Sequence, residues 1–97
     1  MNRKMKHKIC LSSTDMSNTI IVNTDLSNAV LIDTDLIYTD LSGTDLSHAD
    51  LTCANLTGCI LHGTNLTGTD LRGAILTRAK YTPEQIESAI TDETTIF

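Results

Sequence analysis

Aromatic residues are scarce in this 97-residue sequence, which contains no Trp, two Tyr and one Phe, and it has a single Pro at position 83. A core without aromatic rings has to be filled by aliphatic side chains of nearly uniform size. Such packing suits a repetitive interior better than an irregular one. The length allows one domain. The composition therefore disfavours an ordinary globular fold.

Positive charge is missing from most of the chain, whose net charge is −5. The segment from residue 9 to residue 71 contains eight Asp and neither Lys nor Arg. Four cations precede it in a basic N-terminus, residues 1–8, which we expect to be flexible: Arg3, Lys4, Lys6 and Lys8. Because phosphate binding needs a basic surface, we expect no direct binding of nucleic acid by the body of the protein.

Long apolar runs are also absent. No run approaches the length of a membrane span, and no apolar segment typical of an export signal follows the basic start, so we expect a cytoplasmic protein without membrane contact. The three Cys (Cys10, Cys53 and Cys59) are an odd number without metal-type spacing, which favours free thiols. His48 and His62 are predicted to lie on different sides of the fold. We therefore expect no metal and no other cofactor.

What the sequence does contain is a period of five. Stepping by five from Leu11 to Tyr81 gives fifteen consecutive apolar or aromatic residues, most of them Leu. Two residues before each of these lies a second series, which is small at every position except Ile9 and is Thr in eight repeats. Asp or Asn stands between the two series in nine of fifteen cases. The register does not slip over this whole segment.

A period of five fits neither an α-helix nor a long strand. Successive residues of the Leu series would be rotated by about 140° around a helix and would not share a face. A coil with flat sides, turning a corner once per repeat, places every Leu inside and a small residue at each corner. This is the arrangement of a solenoid, in which each coil pairs its backbone with its neighbours. The five-residue period thus predicts an all-β solenoid.

Several repeats carry a motif that resembles that of the pentapeptide-repeat family, A-(D/N)-L-x-x. Examples are residues 49–53 (Ala-Asp-Leu-Thr-Cys), 54–58 (Ala-Asn-Leu-Thr-Gly) and 69–73 (Thr-Asp-Leu-Arg-Gly), and the resemblance covers residues 9–81. It implies a right-handed quadrilateral β-helix with four repeats per coil, and therefore slightly fewer than four coils. Residues twenty apart should then stack, for example Thr24, Thr44 and Thr64, whose hydroxyls we expect to bond to backbone carbonyls or to each other.

The pattern changes after residue 81, and residues 82–97 are predicted to form a C-terminal cap. Thr82 and Pro83 are typical of the start of a helix, which we predict over about residues 83–90. A solenoid needs its ends covered, so this short capping α-helix has a structural purpose. Ile96 and Phe97 are expected to fold back beside it.

Two outward-facing sets are candidates for function. Seven Asp precede the central residue of a repeat and form a candidate acidic surface that imitates DNA: Asp15, Asp25, Asp35, Asp40, Asp45, Asp50 and Asp70. The competing interpretation is that each carboxylate bonds to local backbone at a corner. Six apolar residues of the first and second coils form a candidate interaction surface for a partner protein or a homodimer: Ile20, Val22, Val30, Ile32, Ile37 and Tyr38.

These features predict a scaffold or protein-interaction module with an unknown partner, and not an enzyme, because Ser, Asp and His at fixed repeat positions give accidental triads. The alternative is an acidic regulator of a DNA-binding enzyme such as DNA gyrase or another topoisomerase. The resemblance implies it, since some members of the family protect or inhibit gyrase.

Overall fold

The computed structural model describes residues 9–97, and the basic N-terminus predicted to be flexible, residues 1–8, lies outside them. Within the described residues one helix forms, α1 at Pro83–Ser88, and the sheet pairing consists of isolated parallel bridges without a longer strand. From Cys10–Val30 to Ile60–Lys80, every bridge joins residues twenty apart. Four repeats therefore separate each residue from its partner, and the chain winds as a coil.

This register divides the repeats among four faces. Face 1 holds residues 9–13, 29–33, 49–53 and 69–73; face 2 holds 14–18, 34–38, 54–58 and 74–78; face 3 holds 19–23, 39–43, 59–63 and 79–83; face 4 holds 24–28, 44–48 and 64–68. Neighbouring coils are also joined by bonds such as Leu51 N–H to Asp70 O (2.9 Å) and Asp70 N–H to Ala49 O (2.9 Å). Parallel strands spaced about 4.8 Å apart pair in this way.

The corners are tight turns that follow each central residue. In most repeats the carbonyl of the central residue accepts the N–H three residues later, as Leu46 O does from Ala49 (3.0 Å). The last residue of every repeat from Ser13 to Arg78 has a positive φ, between 53° and 75°. A type II turn requires φ above zero at this position, and glycine meets the requirement without strain. The sequence places Gly there five times.

The core is a set of stacked aliphatic side chains. Every central Leu from Leu26 to Leu76 is buried, whereas Leu11, Met16 and Ile21 in the first coil are half-buried. Ile86 of α1 also packs against the core. It stands twenty residues after Leu66, the last Leu of face 4.

Threonine hydroxyls bind neighbouring coils to one another, as predicted. Thr44 Oγ1 donates to Ile21 O (2.5 Å), and Thr64 Oγ1 donates to Leu41 O (2.6 Å). Thr44 Oγ1 also accepts the N–H of Thr24 (3.3 Å). No buried side-chain nitrogen or oxygen among residues 9–97 lacks a hydrogen-bond partner. The predicted bonding of the buried hydroxyls to backbone is confirmed.

The helix begins where the sequence indicates and ends two residues before the predicted limit. Thr82 is its N-cap and forms a capping box with Gln85, and Pro83 opens the first turn. Ala89 is extended, with φ −91° and ψ 172°, and Ile90 pairs with Asp70 on face 1. Pairing with the edge of the coil therefore replaces a further helical turn. Gln85 Nε2 holds the helix to the coil by donating to Leu61 O (2.6 Å) and Thr64 O (2.9 Å).

The last residues continue the coil on face 2. Ile96 pairs with Ile75, and Leu76 N–H donates to Ile96 O (2.6 Å). This bridge spans twenty-one residues, so one extra residue is accommodated between Ile90 and Ile96. The ring of Phe97 lies 6.2 Å from that of Tyr81. The final segment thus uses the hydrogen-bonding edge left by the last full repeats.

Candidate interaction surfaces

The seven repeat aspartates all take part in local hydrogen bonds at the corners. In each case Oδ1 accepts the N–H of the residue two positions later, as Asp40 Oδ1 does from Ser42 (3.0 Å). Where that residue is Ser or Thr, its hydroxyl donates to the same oxygen, for example at 2.6 Å from Ser47 to Asp45. Asn55 and Asn65 bond in the same way. These are Asx turns, in which the side chain stabilises the corner.

These bonds also affect ionisation. The hydroxyl and then the N–H of Ser17 lower the pKa of Asp15, and those of Ser42 do the same for Asp40, with a smaller contribution from the charge of His62. The guanidinium of Arg72 lowers the pKa of Asp70, to which it donates from Nη2 at 2.6 Å. Hydrogen bonds to a carboxylate favour its charged form. The carboxylates of Asp15, Asp40 and Asp70 therefore keep their negative charge at neutral pH.

The coil register does not gather the seven aspartates on one side. Bridges join Asp15 to Asp35 on face 2, Asp25 to Asp45 on face 4, and Asp50 to Asp70 on face 1, while Asp40 lies on face 3 between Ile20 and Ile60. Each face thus carries at most two of the seven carboxylates. The negative charge surrounds the coil and does not form a continuous strip along it.

The six apolar candidates lie on three consecutive faces. Ile20 and Val22 are on face 3, Val30 and Ile32 on face 1, and Ile37 and Tyr38 on face 2. Ile20, Tyr38 and Val22 are the exposed members, at 78%, 55% and 39%, and the other three are half-buried. The exposed members of this set therefore lie in the first two coils, on faces 2 and 3, while further exposed apolar residues lie near the two ends of the described chain, at Ile9, Ile90, Ile96 and Phe97.

Tyr38 has a backbone conformation that sequence reasoning missed. It occupies the last position of its repeat with φ 56°, where a bulky residue is an outlier. Its ring lies over Gly58 in the next coil, because a Cβ added to Gly58 would be 2.4 Å from Cδ1 and from Cε1 of the ring. The five glycines at this repeat position could have indicated a left-handed turn, since they share the place of Tyr38 in the period.

The histidines and cysteines do not form a metal site in the described part of the chain, where no group of His, Cys, Asp and Glu has the required arrangement. His48 lies over Gly68 on face 4, whereas His62 is on face 3. Cys59 is buried, its Sγ donates to Leu36 O (2.9 Å), and burial raises the pKa of its thiol to about 12. Cys10 and Cys53 are exposed and unpaired. The one helix of residues 9–97, α1, is not long and apolar enough to span a membrane.

Comparison with known proteins gives one family. The profile of pentapeptide repeats matches residues 9–47 and 39–78, with eight copies. No curated protein matches the chain. Proteins of this family form right-handed β-helices and are generally non-catalytic.

Solved structures give the same result. The chain is similar to HetL, a pentapeptide repeat protein involved in heterocyst differentiation regulation in the cyanobacterium Nostoc sp. strain PCC 7120, with 25% identity and a TM-score of 0.61. The match covers 90% of this chain and 42% of HetL. A pentapeptide repeat protein from the Arabidopsis thaliana thylakoid lumen matches at 22% identity and a TM-score of 0.55, over 88% of this chain and 59% of that one. The chain therefore spans about half the length of these two structures.

Proposed function

The chain belongs to the pentapeptide-repeat family, and from that premise we propose that it is a non-catalytic scaffold that binds another protein through its outward apolar residues. The observation that supports the proposal is the exposure of Ile20, Val22 and Tyr38 on a coil whose interior is already filled by its Leu stacks. Exposed apolar side chains on a rigid surface are typical of contact sites. The three unpaired cysteines favour a reducing compartment such as the cytoplasm.

A retention experiment tests this role. The protein is immobilised and exposed to an extract of the cells that express it, beside a variant carrying Ile20→Ser, Val22→Ser and Tyr38→Asn. A matched control carries Ser47→Thr and Thr67→Ser on face 4, which keep a hydroxyl at each position. We expect a protein retained by the wild type and the control and lost from the triple variant. The same bound set on all three would contradict the proposal.

In a second form of the proposal, the partner bound through these outward apolar residues is another copy of this chain, which gives a homodimer. The test compares the sedimenting mass of the wild type with that of Ile32→Asp. A charge placed at this half-buried position on face 1 disrupts an apolar contact. A dimer that dissociates in the variant supports this form. If both proteins sediment as the 10.5 kDa monomer, the homodimer form of the proposal is wrong.

The alternative function, regulation of DNA gyrase by imitation of a DNA duplex, has less support than the scaffold function. A DNA duplex carries one charge per about 1.7 Å of its axis, whereas aspartates paired along one face, such as Asp15 and Asp35, are one coil apart, about 4.8 Å. The carboxylates are also divided among four faces. We expect micromolar protein to leave supercoiling by purified gyrase unchanged, and inhibition in that assay would reinstate the mimicry hypothesis.

A further inference from the structure

Tyr38 occupies a left-handed turn position at which the fold does not require a large side chain. The left-handed turn position disfavours large side chains, and elsewhere in the chain it holds Gly, Asn or another smaller residue at most corners. The ring is seated on a backbone that has no side chain, at Gly58, yet 55% of Tyr38 stays exposed. A strained residue that contributes little to the core is a candidate for function.

The surroundings of Tyr38 combine apolar and acidic groups. Asp40, two residues later, is bridged to Ile20, the most exposed large apolar side chain of residues 9–97. On the other side of Tyr38, along face 2, Asp35 is bridged to Asp15. The aromatic ring thus stands at the corner between faces 2 and 3, with an aliphatic side chain and three carboxylates within one coil of it. The sequence contains no Lys or Arg between Ile9 and Leu71.

We propose that this corner, made of Tyr38, Ile20 and the carboxylates of Asp15, Asp35 and Asp40, binds a positively charged, extended protein segment that presents apolar side chains. The charge of the surface selects the partner, because Lys or Arg of such a segment can lie against the carboxylates while an apolar side chain packs on the ring. Tyr is enriched among residues that dominate binding energy at protein interfaces. The inference rests on the proposed scaffold function and names the chemistry of its partner.

Short synthetic peptides test the inference by titration calorimetry. The probe is an octapeptide of alternating Lys and Leu, and the two comparison peptides replace every Leu by Ser or every Lys by Glu. We expect the Lys–Leu peptide to bind at least tenfold more tightly than either comparison peptide. Raising the salt concentration should weaken it, because exposed charges are screened. Equal binding of the Lys–Ser peptide, or no binding of the Lys–Leu peptide, would overturn the inference.

Two variants locate the binding site. Tyr38→Asn removes the ring, and Asn tolerates the left-handed conformation, so the variant should stay folded by circular dichroism and lose at least tenfold in affinity. Arg78→Asn is the matched control, since Arg78 occupies the same repeat position on face 2 with φ 61°. We expect it to bind the peptide within twofold of the wild type. Unchanged affinity in Tyr38→Asn would refute the assignment to this corner.

The outcomes separate this inference from the proposed function. If the wild type retains a cellular protein but does not bind the Lys–Leu peptide, the scaffold function stands and the partner chemistry is wrong. If the peptide binds as expected and no cellular protein is retained, the scaffold function fails. Binding of the peptide together with retention of a protein that the peptide displaces supports both.

Discussion

Truncation of Leu46 measures how strongly the stacked core holds the coil together. Leu46 is fully buried, with Leu26 and Leu66 one coil away on either side in the face 4 stack. Leu46→Ala removes three carbons, which at about 0.8 kcal/mol each gives roughly 2.4 kcal/mol of lost transfer free energy. The cavity left between two coils raises the total to roughly 2–5 kcal/mol. For a domain of this size, a loss of about 3 kcal/mol lowers the melting temperature by roughly 12–24 °C.

The assay is urea and thermal unfolding followed by circular dichroism, with two comparison variants. Leu11→Ala alters a half-buried residue of the first coil and should cost on the order of 1 kcal/mol. Leu46→Met keeps the side-chain volume and should cost less than about 1.5 kcal/mol. If Leu46→Ala destabilised no more than Leu11→Ala, the stacked Leu core would not be the main source of stability and the reasoning would be refuted.

Three further predictions concern single side chains. Thr64→Val removes the hydroxyl bonded to Leu41 O and should cost about 0.5–1.5 kcal/mol in urea unfolding, whereas no loss would exclude a role for this bond. The pKa of Asp40 is lowered in the fold, so its contribution is present above the unfolded value of 3.8 and is lost as pH falls through the folded value. Acid unfolding of Asp40→Asn should therefore be less steep below pH 4 than that of the wild type, and identical curves would contradict this. Cys59, with a pKa of about 12, should resist iodoacetamide at pH 8 in the native protein while Cys53 reacts, as measured by mass spectrometry.

The periodic features of the molecule could be predicted from the sequence. Every repeat obeys the same local rule, so the inward Leu series, the Thr hydroxyl bonds and the Asx turns follow from residue type and spacing. Thr82 and Pro83 also mark the start of α1, because capping depends on residues that are adjacent in the chain. In each of these cases the residues that determine the structure recur every five positions or lie within one helical turn of one another.

What the sequence did not reveal depends on contacts between distant segments. The early end of α1 results from the pairing of Ile90 with Asp70, and the extra residue before Ile96 is visible only from its bridge to Ile75. The left-handed conformation of Tyr38 opposes its own preference and is imposed by the turn that every repeat shares. The division of the candidate surfaces among four faces follows from the twenty-residue register, which the family resemblance implied. Five-residue spacing alone does not show which outward residues are neighbours.

The twenty-residue register is the central claim, since the faces, the stacked core and the proposed binding corner all depend on it. Hydrogen-bond scalar couplings in NMR measure it directly, by linking an amide nitrogen to the carbonyl carbon that accepts its proton. We predict couplings from Leu36 N to the Asn55 carbonyl and from Leu51 N to the Asp70 carbonyl, both nineteen residues along the chain. Coupling of Leu36 N or Leu51 N to a carbonyl at a different separation, or helical couplings four residues apart through the repeats, would contradict the account.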